Sequence, residues 1–178
     1  IKIGYSPETP YFPPFLTGYE VLDYYGAIQK IPKDERKNMI PKLLETAGLE
    51  NNKTRVKNYS KGMLQRLALA QSLLGDPQLL ILDEPTAVLT PQETQKLFAI
   101  LRKMKEDGKA IIIITHKLHE VLSLSDRVSV LRTGEYIGTV NTAETSENEL
   151  TEMMVGKKIT LNIERSEPEN SVDRLIIE

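Results

Sequence analysis

The run Leu79-Leu80-Ile81-Leu82-Asp83-Glu84-Pro85 constrains the fold of this chain more than any other. Four consecutive apolar residues that end in two acids suit a short parallel strand covered on both faces. Such a strand needs sheet neighbours, crossover helices to reach them, and a carboxyl edge where the acids emerge. The second half of the chain fits that demand. Residues 91–106 place Leu97, Ile100, Leu101 and Met104 on one side of a helix that Asp107-Gly108 ends. Residues 110–114 are a second apolar run, rich in β-branched residues and expected to be a buried strand. A short helix over 118–124, a strand over 127–132, a turn at Thr133-Gly134-Glu135, a strand over 136–140 and a helix over 147–155 follow. This alternation predicts an α/β fold with a mostly parallel sheet.

The first half is more helical. Residues 1–5 alternate and meet Ser6-Pro7, as a short strand entering a loop does. Seven of the ten aromatics then fall between Tyr5 and Tyr25, among Pro7, Pro10, Pro13 and Pro14. Such a cluster suits either a docking surface or the core of a helical layer. Helices are predicted over residues 17–28 with Thr17 as N-cap, over 34–47 with Gly48 as the stop, and over 60–74, stopped by Gly75-Asp76-Pro77. Residues 166–173 are polar and read as a linker, and Leu175-Ile176-Ile177-Glu178 reads as the first strand of a further segment.

Composition narrows the class. The chain has 178 residues, 40% hydrophobic and 27% charged, a length and mix that suit one globular domain. A net charge of −2 gives no basic footprint for nucleic acid. With no cysteine there is neither a disulfide framework nor a thiolate metal site. No apolar run reaches the roughly 18–20 residues of a membrane span. The opening Ile1-Lys2-Ile3 is strand-like and leads us to expect a chain cut from something longer.

Three motifs bear chemistry. Asp83 and Glu84, at the end of their strand, suit Mg²⁺ coordination and the orientation of an attacking water; the same pair is also what a strand meeting solvent looks like. Tyr59-Ser60-Lys61-Gly62-Met63 places a serine and a glycine at a helix start, where free N–H groups and the helix dipole favour an anion; Ser60 as a simple cap is the plainer alternative. Ile114-Thr115-His116 ends the next strand in a histidine, which alone is most often structural.

In this order the motifs resemble the ATP-binding-cassette (ABC) ATPase family, over residues 1–156. Ser60-Lys61-Gly62-Met63 is similar to the family's signature, Asp83-Glu84 to its Walker B aspartate and catalytic glutamate, His116 to its switch histidine, and residues 3–8 to the strand entering the Q-loop. The resemblance implies a P-loop-NTPase-like core with a helical signature subdomain: a partial ABC domain over residues 1–165, with the helical part over 9–75, the Walker B and switch-histidine core over 76–140, and a linker over 166–178. It implies ATP and Mg²⁺ as cofactors. Ser60, Gly62, Asp83 and Glu8 would contact nucleotide or metal, Asp83 would hold Mg²⁺, and Glu84 and His116 would be catalytic. It also implies transmembrane permease subunits and a second nucleotide-binding domain as partners, and a cytoplasmic place on the inner face of the membrane.

The sequence departs from the family pattern in four places. Lys61 and Met63 replace a glycine and a glutamine of the signature, Glu8 stands for the Q-loop glutamine, and Thr90 for the D-loop aspartate. The largest departure is that residues 1–178 contain no Gly-x-x-x-x-Gly-Lys-Ser/Thr phosphate loop; Gly156-Lys157-Lys158 is the nearest run. The first half resembles exporter-type cassettes and the second half, with Leu89-Thr90-Pro91-Gln92-Glu93 and Thr115-His116-Lys117-Leu118, the first cassette of simple-sugar or nucleoside importers. Two functions remain open: an ATPase subunit that powers transport, or a non-catalytic fragment or chimera offering only signature and docking surfaces. In the family's sheet order the Walker B strand lies between the strand of residues 1–5 and the strand ending at His116. The Walker A strand lies on the far side of the latter, between it and the strand of residues 127–132.

Overall fold

The computed structural model describes residues 1–50 and 53–156. The predicted linker and the strand at Leu175-Ile176-Ile177-Glu178 lie outside the described residues. Packing divides the chain into two units, Ile1–Leu124 and Ser125–Glu178.

The first unit opens with β1 (Ile3–Ser6), followed by three helices, α1 (Gly18–Ile28), α2 (Lys33–Thr46) and α3 (Lys61–Ser72). Thr17 caps α1 as predicted: its hydroxyl accepts from Glu20 N at 3.3 Å, and Glu20 Oε2 accepts from Thr17 N at 2.8 Å. The three helices share a core of Phe12, Val21, Leu22, Ile40, Leu44 and Leu67 with their neighbours. Position 4 has to be glycine. A Cβ there would lie 2.0 Å from the Ser72 carbonyl oxygen, so its absence lets the end of α3 press against β1.

β2 (Leu79–Asp83), α4 (Pro91–Glu106), β3 (Ala110–Ile114) and α5 (Leu118–Leu124) complete the unit. α4 begins with a second reciprocal cap, Thr90 with Glu93, and Pro91 in its first turn. The backbone N–H groups of Thr17 and Thr90 hold the Glu20 and Glu93 carboxyls below the usual range. The strands are parallel in the order β1-β2-β3, with Ile3 beside Leu79, Leu79 beside Ala110 and Asp83 beside Ile114. That is the order the family resemblance implies for these three strands.

One face of the sheet is fully covered. Leu80 and Leu82 are completely buried with Leu69, Leu97, Phe98 and Leu101 of α3 and α4. The opposite face corrects the sequence expectation that both apolar runs are buried on two sides. It carries Ile3, Tyr5, Leu79, Ile81, Ile112 and Ile114, alternate residues that the register aligns. Ile3 is 60% exposed, Tyr5 50%, Ile112 50% and Ile114 51%, and Leu79 and Ile81 are half-buried. No described helix of this unit is packed on that face in the way α3 and α4 pack on the other. β3 is hydrogen-bonded to β2 only, so its far edge has no strand among the described residues.

In the second unit β4 (Arg127–Arg132) and β5 (Glu135–Asn141) form an antiparallel hairpin, so the parallel character is confined to the first three strands. Thr133 and Gly134 both take positive φ at its tip. α6 (Glu147–Val155) buries Leu150 completely and stops at Gly156, whose φ is +77°. No described helix is long and apolar enough to cross a membrane.

Candidate functional site

Parallel strands deliver their last residues to one edge, and β2 and β3 bring Asp83, Glu84, Thr115 and His116 together there. Glu84 follows β2 with φ at +44°, a left-handed backbone that a side chain rarely adopts. Its N–H donates to the Ile114 carbonyl at 2.9 Å, which ties the turn to the end of β3. Strain of this kind costs about 1–3 kcal/mol and persists where surrounding contacts enforce it.

The turn aims the Glu84 carboxylate at the loop after β3. Oε1 lies 2.7 Å from His116 Nδ1 and accepts from His116 N at 3.1 Å; Oε2 accepts from Thr115 Oγ1 at 3.3 Å. The Glu84 side chain is 15% exposed and the His116 side chain 73%, so the pair is anchored on the protein side and open on the other. A carboxylate held by three donors beside an exposed histidine can orient and polarise a water that reaches it. The Asp83 carboxylate, half-buried at the same edge, has no hydrogen-bond or ion-pair partner among the described residues. One free carboxylate suits Mg²⁺, which takes one or two protein oxygens and fills its shell with phosphate and water. No group of three or more candidate metal ligands occurs among the described residues.

The predicted signature forms a separate locus at the start of α3. Ser60 is exposed, and its Oγ accepts from Met63 N at 3.2 Å. The helices α1, α2, α4 and α6 all carry an acid in the first turn; α3 carries none and has Lys61 there instead. Its positive dipole end therefore has no acidic side chain of its own first turn beside it. Gly62 has no fold-level need to be glycine: an added Cβ would meet the Val88 carbonyl at an ordinary 3.6 Å. Glu8 lies exposed in the bend after β1, and the buried Gln65 of α3 donates to the neighbouring Pro7 carbonyl at 3.4 Å.

The structure thus joins Glu84 to His116 directly, sets Asp83 beside them, and places Ser60 and Gly62 at the start of α3. Sequence reasoning missed Thr115 as a partner of Glu84, and missed Thr86, Lys117 and Glu120, which are bonded together behind the pair. The spacing of Lys117 and Glu120 at i and i+3 is the one signal in sequence that could have found part of this group. A cavity of about 340 Å³ lies between α2, α3 and α4, lined by Ala47, Arg66, Leu89 and Glu93 among others.

Residues 1–87 match the ABC transporter family, from β1 through the Asp83-Glu84 edge. That stretch belongs to the family. An ABC transporter ATP-binding protein of Synechocystis sp. is 38% identical over 83% of this chain and 43% of its own length. The ribose import ATP-binding protein RbsA 1 of Streptomyces avermitilis is 42% identical over 76% of this chain and 26% of its own. The glucose import ATP-binding protein TsgD13 of Haloferax volcanii is 50% identical over 58% of this chain and 19% of its own. The chain therefore spans less than half the length of these relatives. An ABC transporter solved in an inward-facing conformation superposes with a TM-score of 0.74 at 18% identity, covering 87% of this chain and 64% of that one, and so shares its fold.

Proposed function

We propose that this ABC chain is the water-activating and signature part of a longer ATPase subunit, whose ATP hydrolysis drives transport across a membrane. The observation that carries this reading is the Glu84 carboxylate, bound to His116 and Thr115 at the carboxyl edge of a parallel sheet. Asp83 would hold Mg²⁺, Glu84 would orient the attacking water, and His116 would meet the γ-phosphate. Ser60, Gly62 and the start of α3 would face the γ-phosphate held by a second cassette. Glu8, exposed in the bend after β1, would join Asp83 and Glu84 at the carboxyl edge of the sheet.

The sheet also supports a specific place for the absent phosphate loop. Both β1-to-β2 and β2-to-β3 crossovers place their helices on the covered face, as right-handed connections in one direction require. A right-handed crossover on the opposite face has to run the other way, from a strand beyond β3 back to β1. A strand at the open edge of β3, then a helix over Ile3, Tyr5, Ile112 and Ile114, would satisfy both exposures and precede Ile1 in the chain. Its loop would open at the same edge as Asp83 and Glu84.

The 178 residues alone have no backbone cradle or lysine for the β- and γ-phosphates, which favours an inactive chain in isolation. Titration calorimetry of the isolated chain with Mg-ATP should give a dissociation constant of about 1 mM or weaker, roughly −4 kcal/mol. Micromolar binding would refute this assignment of the missing element.

Docking to a permease is proposed for the aromatic segment. Phe12 is 6% exposed and belongs to the core, but Tyr11 is 82% exposed, Phe15 65% and Tyr19 39%. Exposed aromatics set close together are the usual anchors of an interface. In the longer protein, Tyr11→Ala with Phe15→Ala should reduce co-purification of the permease by about tenfold or more, some 1.4 kcal/mol. ATP turnover of the detached subunit should not change. Full permease recovery with the double variant would remove the segment from the interface. On this reading the subunit lies at the cytoplasmic face of the membrane.

A further inference from the structure

We infer that Thr86, Lys117 and Glu120 form a positioning cluster that holds the Glu84 carboxylate against His116. The inference rests on the reading of Glu84 and His116 as a working pair.

Thr86 is 1% exposed and Glu120 6%. The Thr86 hydroxyl donates to Glu120 Oε2 at 2.6 Å. Lys117 Nζ donates to the Thr86 carbonyl at 3.0 Å and to its hydroxyl at 3.2 Å, and lies 3.4 Å from Glu120 Oε1. A buried carboxylate is tolerated because a hydroxyl and an ammonium both serve it. The placement is what gives the cluster its role. Thr86 lies two residues after Glu84, Lys117 directly follows His116, and Glu120 belongs to α5.

The bonds close a ring. From the Glu84 carboxylate the path runs through Thr115 Oγ1 to Lys117 N at 3.2 Å, along the Lys117 side chain to Thr86, and back through Pro85. Glu84 is therefore fixed on both sides of its left-handed backbone, by Ile114 before the turn and by Thr86 after it. Without the downstream anchor the segment 84–86 can relax toward negative φ, and the carboxylate then swings away from the histidine.

The test uses the 178-residue chain and NMR of His116, with Glu84→Gln as the reference. Glu84→Gln should move the His116 Nδ1 resonance and speed exchange of its amide proton, because both groups lose the carboxylate. Thr86→Val and Glu120→Gln should each produce at least about half of those changes while far-UV circular dichroism stays native. Thr86→Ser, which keeps the hydroxyl, should match the parent. If Thr86→Val does not fold, Glu120→Gln, which keeps the side-chain volume, decides alone. His116 signals that move with Glu84→Gln but stay at parent values with Thr86→Val and Glu120→Gln overturn the cluster's role. Equal disturbance by Thr86→Ser also overturns it, since packing and not the hydroxyl would then be responsible. His116 signals indifferent to Glu84→Gln would instead defeat the pair itself, and the inference with it.

Discussion

Glu84→Gln, in the longer protein that carries the phosphate loop, should lower ATP turnover by about 10²- to 10⁴-fold, the usual contribution of a positioned general base. Nucleotide affinity should stay within about threefold, because the loss would fall on the reaction step and not on ground-state binding. Glutamine keeps the length of the side chain and one acceptor oxygen, so Thr115 can still bond to it at the Oε2 position while the amide nitrogen faces His116. What it lacks is the negative charge that draws a proton from water. Steady-state hydrolysis and equilibrium nucleotide binding measured together check both halves. Turnover within about threefold of the parent would show that Glu84 is not the base. A simultaneous collapse of affinity would point to a disturbed fold, which the strained turn at φ +44° makes the first thing to examine.

Local signals proved readable where the physics is local. Thr17 and Ser60 act as helix caps because a hydroxyl at a helix start has few better options than the free N–H groups beside it. Gly48 ends its segment at φ +63°, which glycine adopts without strain. The apolar run of β3 shows the opposite case. Four isoleucines specify a strand that two layers can cover, but coverage belongs to the neighbours, and among the described residues only one face has it. The same division holds at the site. Asp83, Glu84 and His116 stand out because acids and a histidine at strand ends are chemically conspicuous. The bond from Thr115 to Glu84, and the ring through Thr86, Lys117 and Glu120, join residues about 30 positions apart and depend on strand register. No periodicity within one segment encodes that. The left-handed backbone at Glu84 was equally hidden, since glutamate has no intrinsic preference for it.

Ile112→Lys should separate the two forms of the protein by stability. In the 178-residue chain Ile112 is 50% exposed on the uncovered face, and a lysine there can extend into water. The cost should be within about 1 kcal/mol, as for other exposed substitutions that lose some apolar contact. In a protein extended upstream by the proposed strand and helix, the same position lies between a central strand and a covering helix. A lysine there is desolvated without a partner, and the expected cost rises to about 3 kcal/mol or more. The parent extended form should gain stability in turn. Ile3, Tyr5, Ile112 and Ile114 would lose their remaining exposure, each contributing about 1 kcal/mol, roughly half the value of burying such a side chain completely. Hydrogen bonds along the open edge of β3 would add about 0.5–1.5 kcal/mol each. Urea unfolding of parent and variant in both forms measures all of these, with the slope of the transition reporting the extra surface buried. An equal, small cost in both forms would mean that the upstream segment does not cover this face. The phosphate loop would then have to reach Asp83 and Glu84 from elsewhere.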